Sequence, residues 1–269
     1  MFLTILGVVL IVVGVVLFLI SISVWRDGKK SKNKAKNIKA YETSSVADIV
    51  DIYQQLGEGL DGQYVGNIVE LSGVIKSESP LKAEHSGQEA VYYRASVQHE
   101  YEESSIVKER DNKGNETEKE LITANTEMVS SNEKYARSYL EDSSGAKILI
   151  DLKDSQMHIE TSVDEYRKEA PQGFIPSYGK QGTTKRYHYI EHIIPNNSQL
   201  YVLGQVAEKN GELAVIAPKK GAKVDFIVST SAEKELVQSI EASAKDDAGS
   251  ALFIGITGLV LAIIGVLLV

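Results

Sequence analysis

Cysteine is absent from this 269-residue chain. That removes disulfides, a thiol nucleophile and every cysteine-ligated metal site. Charge is absent from two stretches. Residues 2–24 (FLTILGVVLIVVGVVLFLISISV) carry none, and neither do residues 248–269 (AGSALFIGITGLVLAIIGVLLV). No phosphate-binding glycine loop, no G-x-G-x-x-G after a strand, no G-x-S-x-G elbow and no calcium loop is present, so four common enzyme and nucleotide-binding classes lose their usual signature. No repeat of about 20–50 residues is visible, which argues against a solenoid or propeller.

What is present begins with those two uncharged stretches. A membrane-spanning helix needs about 20 apolar residues, and both are long enough. The first lacks a basic region before it and a small-x-small cleavage site after it, so it reads as an anchor rather than a signal peptide. Trp25 stands at its edge, where an amphipathic ring suits the headgroup level. Arg26, Lys29, Lys30, Lys32, Lys34, Lys36 and Lys39 follow. The positive-inside rule then places residues 26–247 in the cytoplasm. Gly7 and Gly14 in the first stretch, and Gly258, Ala262 and Gly265 in the second, give small faces on which helices pair, within one chain or between copies.

The net charge is −8, but it is divided between a basic juxtamembrane segment and an acidic remainder. The basic segment attracts anionic lipid. The acidic body argues against nucleic acid, which needs a basic face.

Four segments divide the chain: a transmembrane helix (1–25), a basic linker with no apolar period (26–42), a β-rich domain with flanking helices (43–247) and a second transmembrane helix (248–269), with a charged insertion near 102–134 inside the domain. Thr43, Ser44 or Ser45 caps a helix with Val46, Ile49, Val50, Ile52, Tyr53 and Leu56 on one face. Strands are expected over 67–77, 90–102, 147–152, 199–208 and 212–218, from their β-branched and aromatic content. Lys209-Asn210-Gly211 and Ser143-Ser144-Gly145 make hairpin turns. The insertion reads as a long exposed hairpin or a mobile segment, with a turn at 111–114. A short helix is expected at 162–170 and another at 231–245, the latter with Ser231 opening a capping box. The fold class is therefore a membrane protein in which two transmembrane helices flank an α+β, mainly antiparallel β domain, barrel-like and of an OB-like kind.

One string looks catalytic. His188-Tyr189-Ile190-Glu191-His192 spells H-x-x-E-H, the zinc signature of inverzincin peptidases. That chemistry needs a helix, with the two imidazoles stacked four residues apart. Here the flanks are aromatic and β-branched, and Pro195 follows, so the string reads as a strand. On a strand the two histidines stand about 13 Å apart, too far to share a zinc ion. His85, His99 and His158 have no ligand spacing. Tyr92, Tyr93, Tyr187, Tyr189 and Tyr201 could stack on a ligand, but tyrosines on strands more often pair across a sheet. No catalytic, cofactor-binding or metal-ligating residue is assigned, and no cofactor.

Three blocks resemble the GIDE, or "beside a membrane", domain of the mulan-type mitochondrial E3 ubiquitin ligases and their prokaryotic relatives. Residues 69–103 carry Val69, Ser72, Gly73, Pro80-Leu81 and Val91-Tyr92-Tyr93. Residues 138–152 carry Asp142, Gly145 and Asp151. Residues 189–231 carry Glu191, the turn after it, Val202-x-Gly204-x-Val206 and Phe226-x-x-Ser229. The resemblance covers about 43–269 and implies RING-type ubiquitin transfer. In the ligases, however, a cysteine- and histidine-ligated RING finger follows the second membrane helix, and no residue here corresponds to its ligands. The resemblance also implies that the domain lies across the membrane from the cytosol, against the charge argument. Three roles follow: a membrane-anchored, non-enzymatic interaction module with an unknown protein partner; a ligase-like protein that borrows a RING in trans; and a ligand sensor acting through its helices, with association between copies through the small-residue faces.

Overall fold

The computed structural model describes residues 1–57, 66–110, 116–176, 182–222 and 224–269. Two long helices, α1 (Phe2–Ile38) and α3 (Glu233–Leu268), bracket a β domain, and α2 (Val46–Gly57) lies between α1 and the first strand. Both α1 and α3 are long and apolar enough to cross a membrane.

α1 and α3 pack antiparallel along their whole length. Buried small residues recur every seven positions on each: Gly7, Gly14, Gly28 and Ala35 on α1, and Gly265, Gly258, Ala251 and Ala244 on α3. Ser21 fills the missing heptad position on α1, and its hydroxyl donates to the Ala251 carbonyl at 2.8 Å. A Cβ added at Gly14 would stand 2.5 Å from the Gly258 oxygen, so only glycine allows this approach. A seven-residue seam of this kind is the signature of two helices wound about each other.

The seam corrects one expectation. Residues 26–42 are expected as a linker, but α1 runs on unbroken through Ile38. The buried positions here are Gly28, Ala35 and Ile38, the first two too small and all three too few to register as an apolar stripe. Ala35 and Ile38 then meet Leu236, Val237 and Ile240 of α3 and the strand residues Tyr201, Leu203 and Ile227 in one buried cluster. At the start of α3, Ala232 is the cap, without a side-chain hydrogen bond, and Ser231 instead donates its backbone N–H to Ser229 Oγ. The expected capping box is not formed.

Among the described residues, twelve strands form two sheets. β1 (Ile68–Lys76), β5 (Ser138–Glu141), β6 (Lys147–Ile150), β11 (Glu212–Ile216) and β10 (Ser198–Lys209) neighbour one another in that order, and β10 also pairs with β1. The circuit therefore returns to its start, as in a barrel. All of its pairings are antiparallel except β6 with β11. β12 (Ile227–Ser229) and β7 (Gln156–His158) extend the sheet beyond β10. Leu71, Ile75, Leu140, Ile148, Leu200, Val202 and Val215 fill the interior, and Val46 and Ile49 of α2 join them. Gly73 and Gly204 permit the tight curvature. A Cβ on Gly73 would stand 2.5 Å from the Glu141 oxygen, and one on Gly204 would stand 2.6 Å from Val215.

The second sheet is inserted between β1 and β5, with one segment from later in the chain. It comprises β2 (Leu81–Lys82), β3 (Glu89–Arg110), β4 (Glu116–Tyr135), β8 (Glu160–Arg167) and β9 (Gly182–Pro195). β3 and β4 form the long hairpin expected for the charged insertion, paired out to Arg110 opposite Glu116. Its expected turn at 111–114 lies outside the described residues. The helix expected at 162–170 is instead β8, paired antiparallel with β9. Partners across the sheet decide that segment, not its local helix propensity.

Candidate functional site

The H-x-x-E-H string lies on β9, where side chains alternate between two faces. Tyr187, Tyr189, Glu191 and Ile193 are buried, while His188 and His192 point the other way. Glu191 therefore does not meet the imidazoles. His188 Nε2 lies 2.6 Å from Asp164 Oδ1, and His192 Nδ1 lies 3.1 Å from Thr161 Oγ1. Glu191 is fully buried and accepts three donors: the His85 N–H at 2.6 Å, the Ser86 N–H at 3.2 Å and the Ser162 hydroxyl at 2.8 Å. Burial pushes its carboxyl up, but these hydrogen bonds outweigh that and hold it below the usual range. Its task is to fasten the β2–β3 turn to the β8–β9 pair.

The five tyrosines named from sequence are all buried, so none offers a face to a ligand. Tyr201 donates to the buried Glu70 at 2.9 Å, and Thr43 donates to the same carboxylate at 2.8 Å. Burial raises Glu70 above its usual value, and the two hydroxyls partly offset this. His99 is stacked between Tyr101 and Tyr187, with ring centroids at 5.0 and 4.7 Å. These groups hold the sheets together.

An open site lies elsewhere, on the outer face of the barrel. A cavity of about 590 Å³ is lined by the end of β1, by β5 and β6, and by the turn between β9 and β10. Alternation on β5 puts Leu140 into the core and leaves Tyr139 and Glu141 facing outward. Arg137 lies over the Tyr139 ring at 5.7 Å, donates to its hydroxyl at 2.8 Å and pairs with Glu212. Lys76 and Lys147 both approach Glu141, at 3.1 and 3.7 Å. The Lys76 hydrogen bond leads in holding the Glu141 carboxyl below its usual value, against some burial, and Lys147 adds to it. A second cavity of about 270 Å³ shares Arg137 and Glu212 with the first and runs toward Lys209 and Asp151, which form an ion pair. The Arg137–Glu212 pair thus stands between two compartments of one groove. Sequence reading did not single out this set. Its only signal was the outward-inward alternation of Arg137-Ser138-Tyr139-Leu140-Glu141.

The model of the GIDE family, described as an E3 ubiquitin ligase, matches residues 106–267. That is more than half of the chain. The chain belongs to the GIDE family. No curated protein and no solved structure matches it. The GIDE match starts within β3 and ends within α3, so it takes in the β5–β6 hairpin, the β9–β10 turn and most of the second helix. The block at 69–103 lies outside it. Within the match, Asp142, Gly204 and Glu191 each have a structural duty: a cap on α2, a close strand contact and an anchor for a turn.

Proposed function

We propose that this GIDE-family protein is a membrane-anchored interaction module, without catalysis of its own, that presents a protein-binding groove at a fixed height above a bilayer. The groove across β5 and β6 carries the proposal. It is open, has an aromatic residue at its centre, and balances Lys76, Arg137 and Lys147 against Glu78, Glu141 and Glu212. A mixed-charge surface of this sort suits a folded polypeptide better than a polyanion, which needs unpaired cations.

The strand circuit supports an OB-type reading of the barrel. Numbering its five strands along the chain gives the neighbour order 1-2-3-5-4-1. OB barrels bind ligands on the face of strands 2 and 3, between the loops that follow strands 1 and 4. The groove occupies the corresponding place, between the segment starting at Ser77 and the Lys209–Gly211 turn. The two helices favour rigid presentation, because each runs without a break from its apolar stretch onto the barrel. On the positive-inside rule, the barrel faces the cytoplasm.

Affinity capture of the intact protein in detergent tests the role, with Tyr139→Ala run beside the wild type. A companion protein retained by the wild type and lost from Tyr139→Ala is expected. Identical companions on both would count against the groove. A cysteine-free chain makes the side of the membrane easy to read. Thr117→Cys in sealed vesicles should be closed to an impermeant maleimide added outside right-side-out vesicles and open in inverted ones.

The family description favours a second reading, in which the protein works in ubiquitin transfer. These 269 residues contain no cysteine and so offer no cysteine-ligated RING. The companion would have to supply one. A zinc-bearing RING protein in the captured set would support this reading, and ubiquitin transfer by the isolated chain would overturn the non-catalytic one.

A further inference from the structure

Just beyond the apolar stretch, the α1–α3 pair holds a groove of about 680 Å³. Its floor is small: Gly28 on α1, and Ala244 and Ala248 on α3. Trp25 closes the end nearest the apolar stretch, and Lys29, Lys32 and Lys36 line the α1 rim. These lysines recur at three- and four-residue steps, which places them on one helix face.

The basic residues of this segment are sorted by what they meet. Lys30 pairs with Asp27 at 2.9 Å, off the groove. Lys34 donates to Gln156 at 2.7 Å and to His158 Nε2 at 2.8 Å, which docks α1 on β7. Lys39, at the far end of the groove, pairs with Glu241 at 2.6 Å. Among the described residues, no carboxylate pairs with Lys29, Lys32 or Lys36. Lys29 lies 5.4 Å from the Trp25 ring. Lys29, Lys32 and Lys36 therefore share one cavity without a carboxylate partner, while Lys39, which also lines it, is neutralised by Glu241.

Depth adds a second argument. At about 1.5 Å rise per residue, Lys29 stands roughly 6 Å beyond Trp25, Lys32 roughly 10 Å and Lys36 roughly 16 Å. The headgroup layer is about 5–8 Å thick on each side of a bilayer. A tryptophan at its inner edge puts Lys29 within it and Lys32 just above, and long lysine stems bend back toward the interface.

We propose that this groove binds the phosphate headgroup of an anionic phospholipid carrying more than one negative charge. The small floor leaves room for the headgroup between the helices, and the three ammonium groups replace its counterions. This rests on the reading that α1 and α3 cross a membrane. It assigns to one cavity what would otherwise be a diffuse attraction along the basic segment.

Trp25 is the only tryptophan in the chain, and it reports directly on this cavity. The intact protein is placed in nanodiscs of neutral lipid doped with acyl-brominated lipid, which quenches nearby tryptophan. Brominated cardiolipin is compared with brominated phosphatidylcholine at equal acyl-chain content. Quenching by the anionic lipid should show an excess of at least about threefold in apparent local concentration, since each lysine near the surface contributes severalfold. The excess should vanish in the triple variant Lys29→Gln/Lys32→Gln/Lys36→Gln and persist in Lys30→Gln, its neighbour off the groove. Equal excess in the triple variant and the wild type overturns the site. A Trp25 response to inorganic pyrophosphate in neutral discs, with none to anionic lipid, overturns the lipid source in favour of a soluble phosphate. Absence of quenching by the brominated neutral lipid overturns the membrane reading itself, and the proposal with it.

Discussion

Asp142, in the turn between β5 and β6, accepts the backbone N–H of Val46 at 2.7 Å. Val46 is the first residue of α2, so the helix is capped from a turn 96 positions further along the chain. The same carboxylate accepts the Ser144 N–H at 2.9 Å and so also shapes its own turn. Val46 and Ile49, just inside the cap, are buried in the barrel core. One aspartate thus joins the folding of a hairpin to the seating of a helix.

Asp142→Ala removes both contacts. A lost helix cap costs about 0.5–2 kcal/mol, and here the turn loses its hydrogen bonds as well. The expected result is a melting temperature lower by a few degrees, at about 2–4 °C per kcal/mol. Asp142→Asn should recover part of this, because its carbonyl still accepts the Val46 N–H. Thermal melts of the three proteins in one detergent check the order. An unchanged melt for Asp142→Ala would show that α2 does not depend on the cap.

Glu191 gives a prediction with a pH sign. Its folded pKa lies below the ordinary 4.5, through hydrogen bonds from His85, Ser86 and Ser162. A depressed carboxylate contributes stability that is present above the unfolded value and lost as pH falls through the folded one. The wild type should therefore lose stability from about pH 4.5 downward. Glu191→Gln sets an amide against three donors and should destabilise at neutral pH by about 1–3 kcal/mol. Its denaturation midpoint should also change less with pH over the acid range than that of the wild type. Parallel pH profiles for the two proteins would remove Glu191 from this role.

The zinc signature makes a separate claim. His188→Ala and His192→Ala should bind as much zinc as the wild type after chelation and dialysis, which is expected to be none in stoichiometric amount. The reason is geometric: β9 turns Glu191 away from both imidazoles, and each histidine has its own partner, Asp164 or Thr161. One zinc per chain in the wild type, lost in either variant, would contradict this.

How much of this was readable from the sequence depended on the size of the side chain that carried the signal. The strands around Leu71, Ile148, Val202 and Val215 announced themselves, because they are rich in β-branched and leucine residues. The strand nature of H-x-x-E-H was legible from its aromatic neighbours and Pro195. The continuation of α1 past Trp25 was not, because the buried face shrinks to Gly28, Ala35 and a single large residue, Ile38, just where lysines crowd the other faces. β8 departs from the expected helix: Glu165, Arg167, Lys168 and Glu169 suit a helix locally, but its pairing with β9 depends on residues twenty or more positions away. The groove was hidden for a different reason. Arg137, Tyr139 and Glu141 sit on one strand, but Lys76 and Glu212 reach them from strands distant in the chain.

The glycine seam supplies the last prediction. Ser21 and Ala251 face each other across it, with the serine hydroxyl 2.8 Å from the alanine carbonyl. The chain has no native cysteine, so Ser21→Cys/Ala251→Cys places a single thiol pair at this crossing. Mild oxidation in membranes should give a disulfide within one chain, seen as a mobility shift of the monomer that thiol reduction reverses. Covalent dimers in its place would mean that the seam joins two copies rather than two helices of one. Gly14→Leu, seven residues from the crossing, tests the cause. A leucine would drive its side chain into the Gly258 carbonyl and the Ala262 backbone, both within 3 Å of its Cβ. The helices must then separate or slip, and the yield of the internal disulfide should fall severalfold. Val12→Ala on the same helix should leave it unchanged, since Val12 is exposed on the side away from the seam. A full yield in Gly14→Leu would show that close backbone approach does not hold the pair together, and that the barrel contacts of Ala35, Ile38 and Leu236 are sufficient alone.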